Sequence, residues 1–310
     1  MWDLGSSSFH LLVSEVGPGN SLEPVLHRRA LLNLGLSVGS TGAIPRDRVV
    51  AAVAAAKRLR AGLAGSRAEI VVALATAAVR DAANSKEIVE RLERVVGTTV
   101  RVLEGEEEAR LCFIGQCAGV WTGPGYTLGM DLGGGSLEAA VGDGHDVFLT
   151  TSAAVGPARL RGELGEGDPL SAGVVAELRE RTSQAVAPIA RSLGAFTGAA
   201  TRTVVSGGTV RALARLATAG ARRRRSPGPG EVNQVELPAG QVHELAEQLA
   251  GIDLRTRLAL PGMQARRAAL LPIGAVVLST VAADLGVDRF VVSEWGLREG
   301  AILDALHARG

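Results

Sequence analysis

Short apolar runs alternate along this chain with longer segments in which apolar residues recur every three or four positions. The short runs predict buried strands, at residues 69–74, 99–103, 203–206 and 289–293. The longer segments predict amphipathic helices, at residues 46–63, 85–96, 179–193, 240–249, 267–285 and 300–307. A glycine- and serine-rich stretch, residues 33–42, predicts a loop. Strands and helices that alternate in this way indicate an α/β fold.

A hexapeptide pattern occurs twice, once near the start of the chain and once near its middle. Residues 3–8 read Asp-Leu-Gly-Ser-Ser-Ser, and residues 131–136 read Asp-Leu-Gly-Gly-Gly-Ser. Each copy is followed by an apolar run, which predicts two β-hairpins with glycine-bearing tips. Backbone N–H groups at such tips suit phosphate oxygens, and an Asp beside them suits a hard divalent cation. The repeat therefore predicts that two half-molecules hold one phosphate chain between their hairpin tips.

The first copy begins very close to the start of the sequence. Only Met1 and Trp2 precede Asp3, whereas a strand usually has about five residues. The first hairpin is therefore predicted to lack most of its leading strand. Two interpretations stay open: translation starts further upstream, or the fold tolerates a shortened strand.

Length and charge narrow the class of protein. A chain of 310 residues is long enough for two domains that each bury a core. Its 33 Lys and Arg residues are balanced by 32 Asp and Glu residues, which argues against nucleic acid or an anionic membrane as a partner. The dense basic run within residues 222–230 is interpreted as a flexible surface loop. No apolar run approaches the roughly 18–20 residues of a membrane span, and no signal-peptide pattern is present, so a cytoplasmic location is expected.

Six segments occur in an order and at spacings that resemble a known family: DLGSSSFHLLV, ATAAVRDAAN, LEGEEEARL, DLGGGSLE, SGGT and GLREG. Together they resemble the exopolyphosphatase / guanosine pentaphosphate phosphohydrolase (Ppx/GppA) family of the actin-like ATPase superfamily. The resemblance implies a two-domain actin-like (ribonuclease H-like) α/β fold, with mixed sheets flanked by helices and the active site in the interdomain cleft. It implies a first domain of residues 1–120 plus 297–310 and a second domain of residues 121–296. The chain resembles the short form of the family, which lacks a C-terminal HD-like domain.

Three consecutive acids, Glu106, Glu107 and Glu108, follow Gly105 in the first turn of a predicted helix. The helix dipole alone favours acids there, and the pattern does not choose a catalytic one among them. The resemblance assigns activation of the attacking water to Glu108. It also implies a catalytic Arg on the phosphate chain, which corresponds to Arg80; the alternative is an ordinary surface residue.

The resemblance further implies where metal and phosphate bind. Asp131, Glu138 and Asp3 are the expected ligands of Mg²⁺ (or Mn²⁺), and the alternative is a set of turn carboxylates that face solvent. The expected phosphate-binding residues of the three glycine turns are Gly5, Ser6, Ser7, Ser8, Gly133, Gly134, Gly135, Ser136, Gly207 and Gly208. Arg267 and Arg298 are interpreted either as lining the substrate channel or as forming ion pairs between domains.

By this resemblance we expect an exopolyphosphatase, which hydrolyses the terminal phosphoanhydride of inorganic polyphosphate and releases orthophosphate. Guanosine pentaphosphate 5′-phosphohydrolase is the nearest alternative, because nothing in the motifs separates the two substrates. An actin-fold kinase and a non-catalytic sensor that binds polyphosphate or nucleotide are less favoured alternatives. The family also implies a homodimer, which no pattern in the sequence supports by itself.

Overall fold

Two mixed β-sheets organise the chain. The computed structural model describes residues 1–63, 68–144, 146–165, 167–193, 200–221 and 232–308, so the basic run at 222–230 lies outside the described residues. The strands of the first sheet are β1 (Trp2–Leu4), β2 (Ser8–Val16), β3 (Leu22–Leu31), β4 (Ala73–Ala75) and β5 (Arg101–Val102). The strands of the second sheet are β6 (Tyr126–Leu132), β7 (Leu137–Gly142), β8 (Val147–Ala153), β9 (Ala200–Ser206), β10 (Glu236–Pro238) and β11 (Arg289–Val292).

Both sheets follow one strand order. The first sheet is ordered β3-β2-β1-β4-β5, and the second repeats this scheme as β8-β7-β6-β9-β11, with β10 added at its edge. In each sheet the three hairpin strands are antiparallel, and the next two run parallel to the central strand. This is the order of a ribonuclease H-like domain, so the predicted two-domain actin-like α/β fold is confirmed. The duplication indicated by the two hexapeptides is therefore a duplication of whole sheets.

Helices pack on both sheets and connect their parallel strands. Those of the first half are α1 (Leu34–Thr41), α2 (Arg46–Ala61), α3 (Ala77–Arg80), α4 (Ser85–Val96) and α5 (Gly105–Gly119). Those of the second half are α6 (Pro157–Leu164), α7 (Ala172–Leu193), α8 (Gly208–Ala221), α9 (Ala239–Gly251), α10 (Leu254–Leu258), α11 (Leu271–Asp284) and α12 (Leu297–His307). No described helix is long and apolar enough to cross a membrane.

The prediction of a loop over residues 33–42 is wrong, because most of this stretch forms helix α1. Glycine and serine have low helix propensity, which is why the sequence indicated a loop. In the structure the glycines let α1 lie directly against α6. A Cβ on Gly39 would be 2.3 Å from the carbonyl oxygen of Arg159, and one on Gly162 would be 2.3 Å from that of Leu36. Packing between two helices from different halves thus overrides the local preference.

Glycine also sets the crossing of α5 and α12. A Cβ on Gly300 would lie 1.8 Å from the carbonyl oxygen of Leu111, and one on Gly115 would lie 2.1 Å from that of Gly296. The two backbones therefore touch, and α12 returns from the second sheet to pack beside α5. The predicted first domain includes residues 297–310 because α12 is expected to pack on the first half, as it does here. The domain boundaries themselves stay a prediction.

The central strand of the first sheet is much shorter than its counterpart. Strand β1 has three residues, whereas β6 has seven. Its parallel neighbour β4 begins only at Ala73, so the first four residues of the strand predicted over residues 69–74 lie outside it in the structure. Each sheet nevertheless has its own apolar cluster, with Trp2 and Phe9 buried in the first and Met130 in the second.

The contact between α5 and α12 predicts a strong effect of one methyl group. We expect Gly300→Ala to lower the free energy of unfolding by about 1–3 kcal/mol or more, because the new Cβ overlaps a carbonyl oxygen and the helices must separate. Gly240→Ala in α9 is the matched control, since no atom lies within 4 Å of its added Cβ. Urea denaturation measures both, and an equal effect of the two substitutions would contradict the packing described here.

Candidate active site

The tips of the two hairpins, β1–β2 and β6–β7, meet between the two sheets. A Cβ on Gly134 would lie 2.1 Å from the hydroxyl oxygen of Ser7, and one on Gly135 would lie 2.6 Å from that of Ser6. Only residues without a side chain allow this approach. The structure therefore brings together the two turns that the repeated hexapeptide singled out.

A cavity of about 120 Å³, which we call the cleft, opens between these tips. All the residues predicted to bind phosphate line it: Gly5, Ser6, Ser7, Ser8, Gly133, Gly134, Gly135, Ser136, Gly207 and Gly208. The third glycine turn joins β9 to α8, and Gly207 has a φ of 112°, which a residue with a side chain rarely adopts. Three glycine turns from two halves thus surround one small space, as expected of a phosphate site. Their phosphate-binding role itself stays a prediction.

Two of the serine hydroxyl groups are already engaged by the protein. The Oγ of Ser6 accepts a hydrogen bond from the backbone N–H of Ala78 at 2.9 Å, which ties the first tip to α3. The Oγ of Ser8 lies 2.8 Å from Nε2 of His10. These contacts fix the shape of the first tip, and the Ser6 hydroxyl, which is the acceptor in its contact, keeps its own proton to donate to a ligand.

Asp3, Glu108 and Asp131 line the cleft, and Glu138 pairs directly with Asp131 across the β6–β7 hairpin. A fourth lining acid, Glu294, lies 3.7 Å from Arg215. Ser206 donates a hydrogen bond to Oδ1 of Asp131 and so orients this carboxylate. Burial is the main cause that raises the pKa of Asp3 to about 6, and it also raises the pKa of Asp131. The carboxyl groups of Asp3, Glu108, Asp131 and Glu138 form a strongly acidic floor.

The oxygens of Asp131 and Glu138 fit a hard cation. A Cβ on Gly133 would be 4.0 Å from both Oδ2 of Asp131 and Oε2 of Glu138. Oε1 of Glu138 accepts a hydrogen bond from Ser152 at 3.0 Å, whereas Oε2 is buried without a hydrogen-bond partner. Within the described residues no three acidic, His or Cys side chains are grouped closely enough to hold a metal by themselves. Mg²⁺ is usually held by one or two carboxylates and completes its coordination with water and phosphate. Binding of Mg²⁺ (or Mn²⁺) by Asp131, Glu138 and Asp3 stays a prediction.

Glu108 projects from the first turn of α5 and is only 6% exposed. Burial and the nearby Glu138 carboxylate raise its pKa well above the usual range, while the positive charge of Arg80 opposes that rise. A carboxyl group with a raised pKa is suited to accept a proton from water near neutral pH. Of the three consecutive acids, Glu107 points elsewhere and pairs with Arg101 at 3.0 Å.

Arg80 lies behind Glu108 and does not line the cleft. Its Nη1 donates to Oε2 of Glu108 at 3.3 Å and to the carbonyl of Leu103 at 2.9 Å, and its Nε contacts Asp81 at 3.1 Å. The guanidinium thus holds the orientation of Glu108 in this structure. A direct contact of Arg80 with phosphate remains a prediction that requires its side chain to move.

Three arginines supply positive charge to the cleft, and sequence reasoning missed Arg211. Arg211 lies in the first turn of α8, three residues after Gly208. Residues at this spacing lie on the same face of a helix, and this is the sequence signal that could have placed Arg211 beside the glycine turn. Burial and the neighbouring charge of Arg298 lower the pKa of Arg211 to about 10. Arg298 and Arg267 also line the cleft, which favours the channel-lining interpretation of both. Nη1 of Arg298 lies 2.8 Å from Nε2 of His27.

A second, wider cavity of about 460 Å³ continues from the cleft, and we call it the basic basin. It shares Arg211 and Arg267 with the cleft and adds Arg29, Arg215 and Arg266. The pKa of Arg267 falls to about 10, mainly through burial and then through the positive charges of its neighbours. The cleft therefore opens into a concentration of positive charge that a polyanion would neutralise.

Glu138 predicts a pH response of the metal-free protein. Burial is the main cause that raises its pKa to about 8, so the folded state holds a proton that the unfolded chain has released. The free energy of unfolding should therefore fall as the pH rises from about 5 to about 8 in the presence of a chelator. We expect Glu138→Gln to flatten this fall and to reduce the rise in Tm that Mg²⁺ produces in the wild type.

Thermal denaturation at several pH values, with and without Mg²⁺, measures both effects. The exposed Glu90 of α4 provides the control substitution Glu90→Gln, which should leave both responses as in the wild type. An unchanged pH slope in Glu138→Gln would show that this carboxyl group is not the buried titrating acid.

Comparison with known proteins gives relatives over nearly the whole chain. Exopolyphosphatase 1 of Mycobacterium tuberculosis is 30% identical over 98% of this chain and 87% of its own length. A guanosine-5′-triphosphate,3′-diphosphate pyrophosphatase of Aeromonas hydrophila is 28% identical over 98% of this chain but only 58% of its own length. Both kinds of name thus occur among the relatives.

Solved structures show the same architecture. The Aquifex aeolicus member of the Ppx/GppA protein family superposes with a TM-score of 0.78 and 26% identity, over all of this chain and 97% of its own. An exopolyphosphatase from Cytophaga hutchinsonii shares the fold, with a TM-score of 0.88 at 24% identity, over 99% of this chain and 97% of its own. The model of the Ppx/GppA phosphatase family matches residues 12–309. This match leaves out residues 1–11, which include β1 and the first glycine turn, but it covers nearly all of the remaining chain with the second and third glycine turns, and the chain therefore belongs to the Ppx/GppA phosphatase family.

Proposed function

We propose that this protein is an exopolyphosphatase, which hydrolyses the terminal phosphoanhydride of inorganic polyphosphate and releases orthophosphate. The observation that carries the proposal is the contact of two glycine-bearing tips around a cleft that is lined by the buried carboxyl group of Glu108 and opens into the basic basin. The exopolyphosphatases among the relatives support the same activity.

The proposed reaction uses the residues of the cleft in separate roles. Backbone N–H groups of the two tips hold the oxygens of the terminal phosphate, and Asp131 with Glu138 and Asp3 would hold Mg²⁺. The metal, when bound, offsets negative charge on the phosphate chain. Glu108 orients a water molecule and accepts its proton, while Arg80 keeps the Glu108 carboxylate in place. Arg298 and Arg211 then face the charge that develops on the phosphate oxygens.

The basic basin favours polyphosphate over guanosine pentaphosphate. Its arginines present charge to phosphates that follow the terminal one, and none of the described residues that line it is Phe, Tyr or Trp. Aromatic stacking commonly supports base recognition, and the aromatic rings that line the basin are the imidazoles of His10 and His27, which already stack on one another. Guanosine pentaphosphate stays the second candidate, because a relative from Aeromonas hydrophila bears the corresponding name.

A homodimer, a cytoplasmic location and the absence of a nucleic-acid partner remain predictions. A kinase or a non-catalytic sensor would use the same cleft differently. Phosphate transfer from ATP to an acceptor would indicate the kinase, whereas tight binding of polyphosphate without phosphate release would indicate the sensor.

The decisive test compares Glu108→Gln with the wild type. We expect the wild type with Mg²⁺ to release phosphate from polyphosphate, and the variant to lose at least about 10²-fold in kcat, because the amide cannot accept a proton. Binding of polyphosphate should persist in the variant. Phosphate release is measured on polyphosphate and on guanosine pentaphosphate in parallel.

Glu107→Gln is the matched control, since Glu107 lies one residue away on the same helix turn and pairs with Arg101. It should keep activity close to the wild type. Full activity of Glu108→Gln would refute its role as the base. Faster turnover of guanosine pentaphosphate than of polyphosphate would move the assignment to the second candidate.

The basic basin predicts a dependence on chain length. We expect the double substitution Arg29→Ala and Arg266→Ala to raise the KM for long polyphosphate about tenfold, which corresponds to about 1.4 kcal/mol. The KM for tripolyphosphate should change little, because so short a chain is held mainly in the cleft. Arg255→Ala, an exposed change outside the basin, is the control. Equal effects on both substrates would show that the basin does not bind the chain.

A further inference from the structure

Two histidines on neighbouring strands lie beside the cleft, and no role has so far been given to either. His10 is on β2 and His27 is on β3, and the pairing of His10 with Arg29 makes the two histidines diagonal neighbours on one face of the sheet. Their rings stack with centroids 5.3 Å apart, and we call them the histidine pair. His10 lines both the cleft and the basic basin, and His27 lines the basin.

The guanidinium of Arg298 fixes which nitrogens of the histidine pair carry protons. Its Nη1 lies 3.1 Å from Nδ1 of His10 and 2.8 Å from Nε2 of His27, and these two imidazole nitrogens are 3.0 Å apart. An arginine can only donate, whereas a neutral imidazole has one N–H and one acceptor nitrogen. An N–H on either of these two imidazole nitrogens would therefore face another donor. In the arrangement that avoids such contacts, both nitrogens accept from Arg298.

The surroundings of the histidine pair keep both rings neutral. Burial is the main cause that lowers the pKa of His10 well below its ordinary value and the pKa of His27 to about 4, and the charge of Arg298 comes next. Arg298 is itself only 9% exposed, and its Nη2 lies 3.9 Å from the carboxylate of Glu299. The histidine pair therefore supplies the close acceptors that hold Nη1 of Arg298 at the wall of the cleft.

The same protonation state decides what the Ser8 hydroxyl offers to a ligand. Because Nδ1 of the neutral His10 ring is an acceptor, the ring proton is on Nε2, which lies 2.8 Å from Oγ of Ser8. His10 thus donates and Ser8 accepts, so the hydroxyl proton of Ser8 stays available for another acceptor. Ser8 lines the cleft. With the other tautomer, Ser8 would donate to His10 and would present only lone pairs to a phosphate oxygen.

We propose that His10 is a positioning residue of the cleft, which directs the Ser8 hydroxyl proton towards phosphate through Nε2–H and holds the Arg298 guanidinium through Nδ1. His10 acts through these two side chains and needs no contact of its own with the substrate. It thereby links the first tip to the start of α12, two parts of the chain that are far apart in sequence. The role of His10 rests on the proposed function, because it concerns how the same cleft recognises phosphate.

The protonation state of the His10 ring can be measured directly in the wild type. Long-range proton–nitrogen correlation spectra of the histidine rings, recorded at about pH 7, distinguish the two neutral tautomers from the charged ring. We expect a neutral His10 with its proton on Nε2. His10→Asn assigns the signals, and His243→Asn, an exposed change on α9, should leave them in place. A proton on Nδ1, or a charged His10 ring, would overturn the proposal.

Binding of tripolyphosphate with Mg²⁺ tests the consequence, measured by calorimetry in the Glu108→Gln background so that no turnover occurs. We expect Ser8→Ala to raise Kd about tenfold when His10 is present, because a hydrogen bond to a charged group is lost. In His10→Asn, which offers an acceptor near the Nδ1 position but no donor to Ser8, the same change should raise Kd about threefold or less. His10→Gln, whose amide N–H lies near the Nε2 position, should restore most of the Ser8 effect.

Two further variants complete the test. His10→Phe removes both contacts and should raise Kd more than His10→Asn or His10→Gln, whereas His243→Asn should leave Kd as it is. Equal effects of Ser8→Ala with and without His10, or an unchanged Kd in His10→Phe, would overturn the role of His10 and leave the proposed function standing. Tight binding with the expected tautomer but without phosphate release from the wild type would instead refute the proposed function.

Discussion

The direct contact between the two hairpin tips is the constraint on which the site depends. Gly134 and Gly135 have no side chains, so Ser7 and Ser6 of the opposite tip reach their backbone. A methyl group at either glycine would overlap a serine hydroxyl of the opposite tip, so that serine or the tip itself would have to move. Glycine allows similarly close contacts where α1 packs on α6 and where α5 crosses α12, because there the backbones of the two helices touch. Close approach of the two halves is therefore built into several independent contacts.

Each wall of the cleft carries side chains of like charge, which repel one another when no ligand is bound. Glu138 is one of the causes of the raised pKa of Glu108, while Arg298 and Arg211 are crowded positive charges. Such arrangements reduce stability in the free protein, since buried like charges repel and lose hydration. A divalent cation among the acids and a phosphate chain among the arginines are the ligands that would relieve both. Buried groups with displaced pKa values are typical of functional sites for this reason.

The two halves share one topology, and the corresponding central strands β1 and β6 both lead from an Asp into a glycine-bearing tip. The first tip has a further attachment, because the backbone N–H of Ala78 in α3 donates a hydrogen bond to the hydroxyl oxygen of Ser6. The pairing of β1 with β2 holds the same tip from its other side.

Much of this could be predicted from the sequence, because the relevant signals are local. The repeated hexapeptides, the acids after Gly105 and the turn at Gly207 are each contained in a few residues, and their backbone requirements are visible in the residue types. Periodicity likewise placed most helices and strands.

What the sequence could not supply were contacts between distant segments. Helix α1 looked like a loop, because its stability comes from packing on α6. The orientation of Glu108 by Arg80 and the entry of Arg211 into the cleft were equally invisible. The sequence by itself therefore determined the duplicated α/β architecture and the chemical groups of the site. Tertiary structure decided which of those groups face one another, since burial and close approach arise only when the two halves pack together.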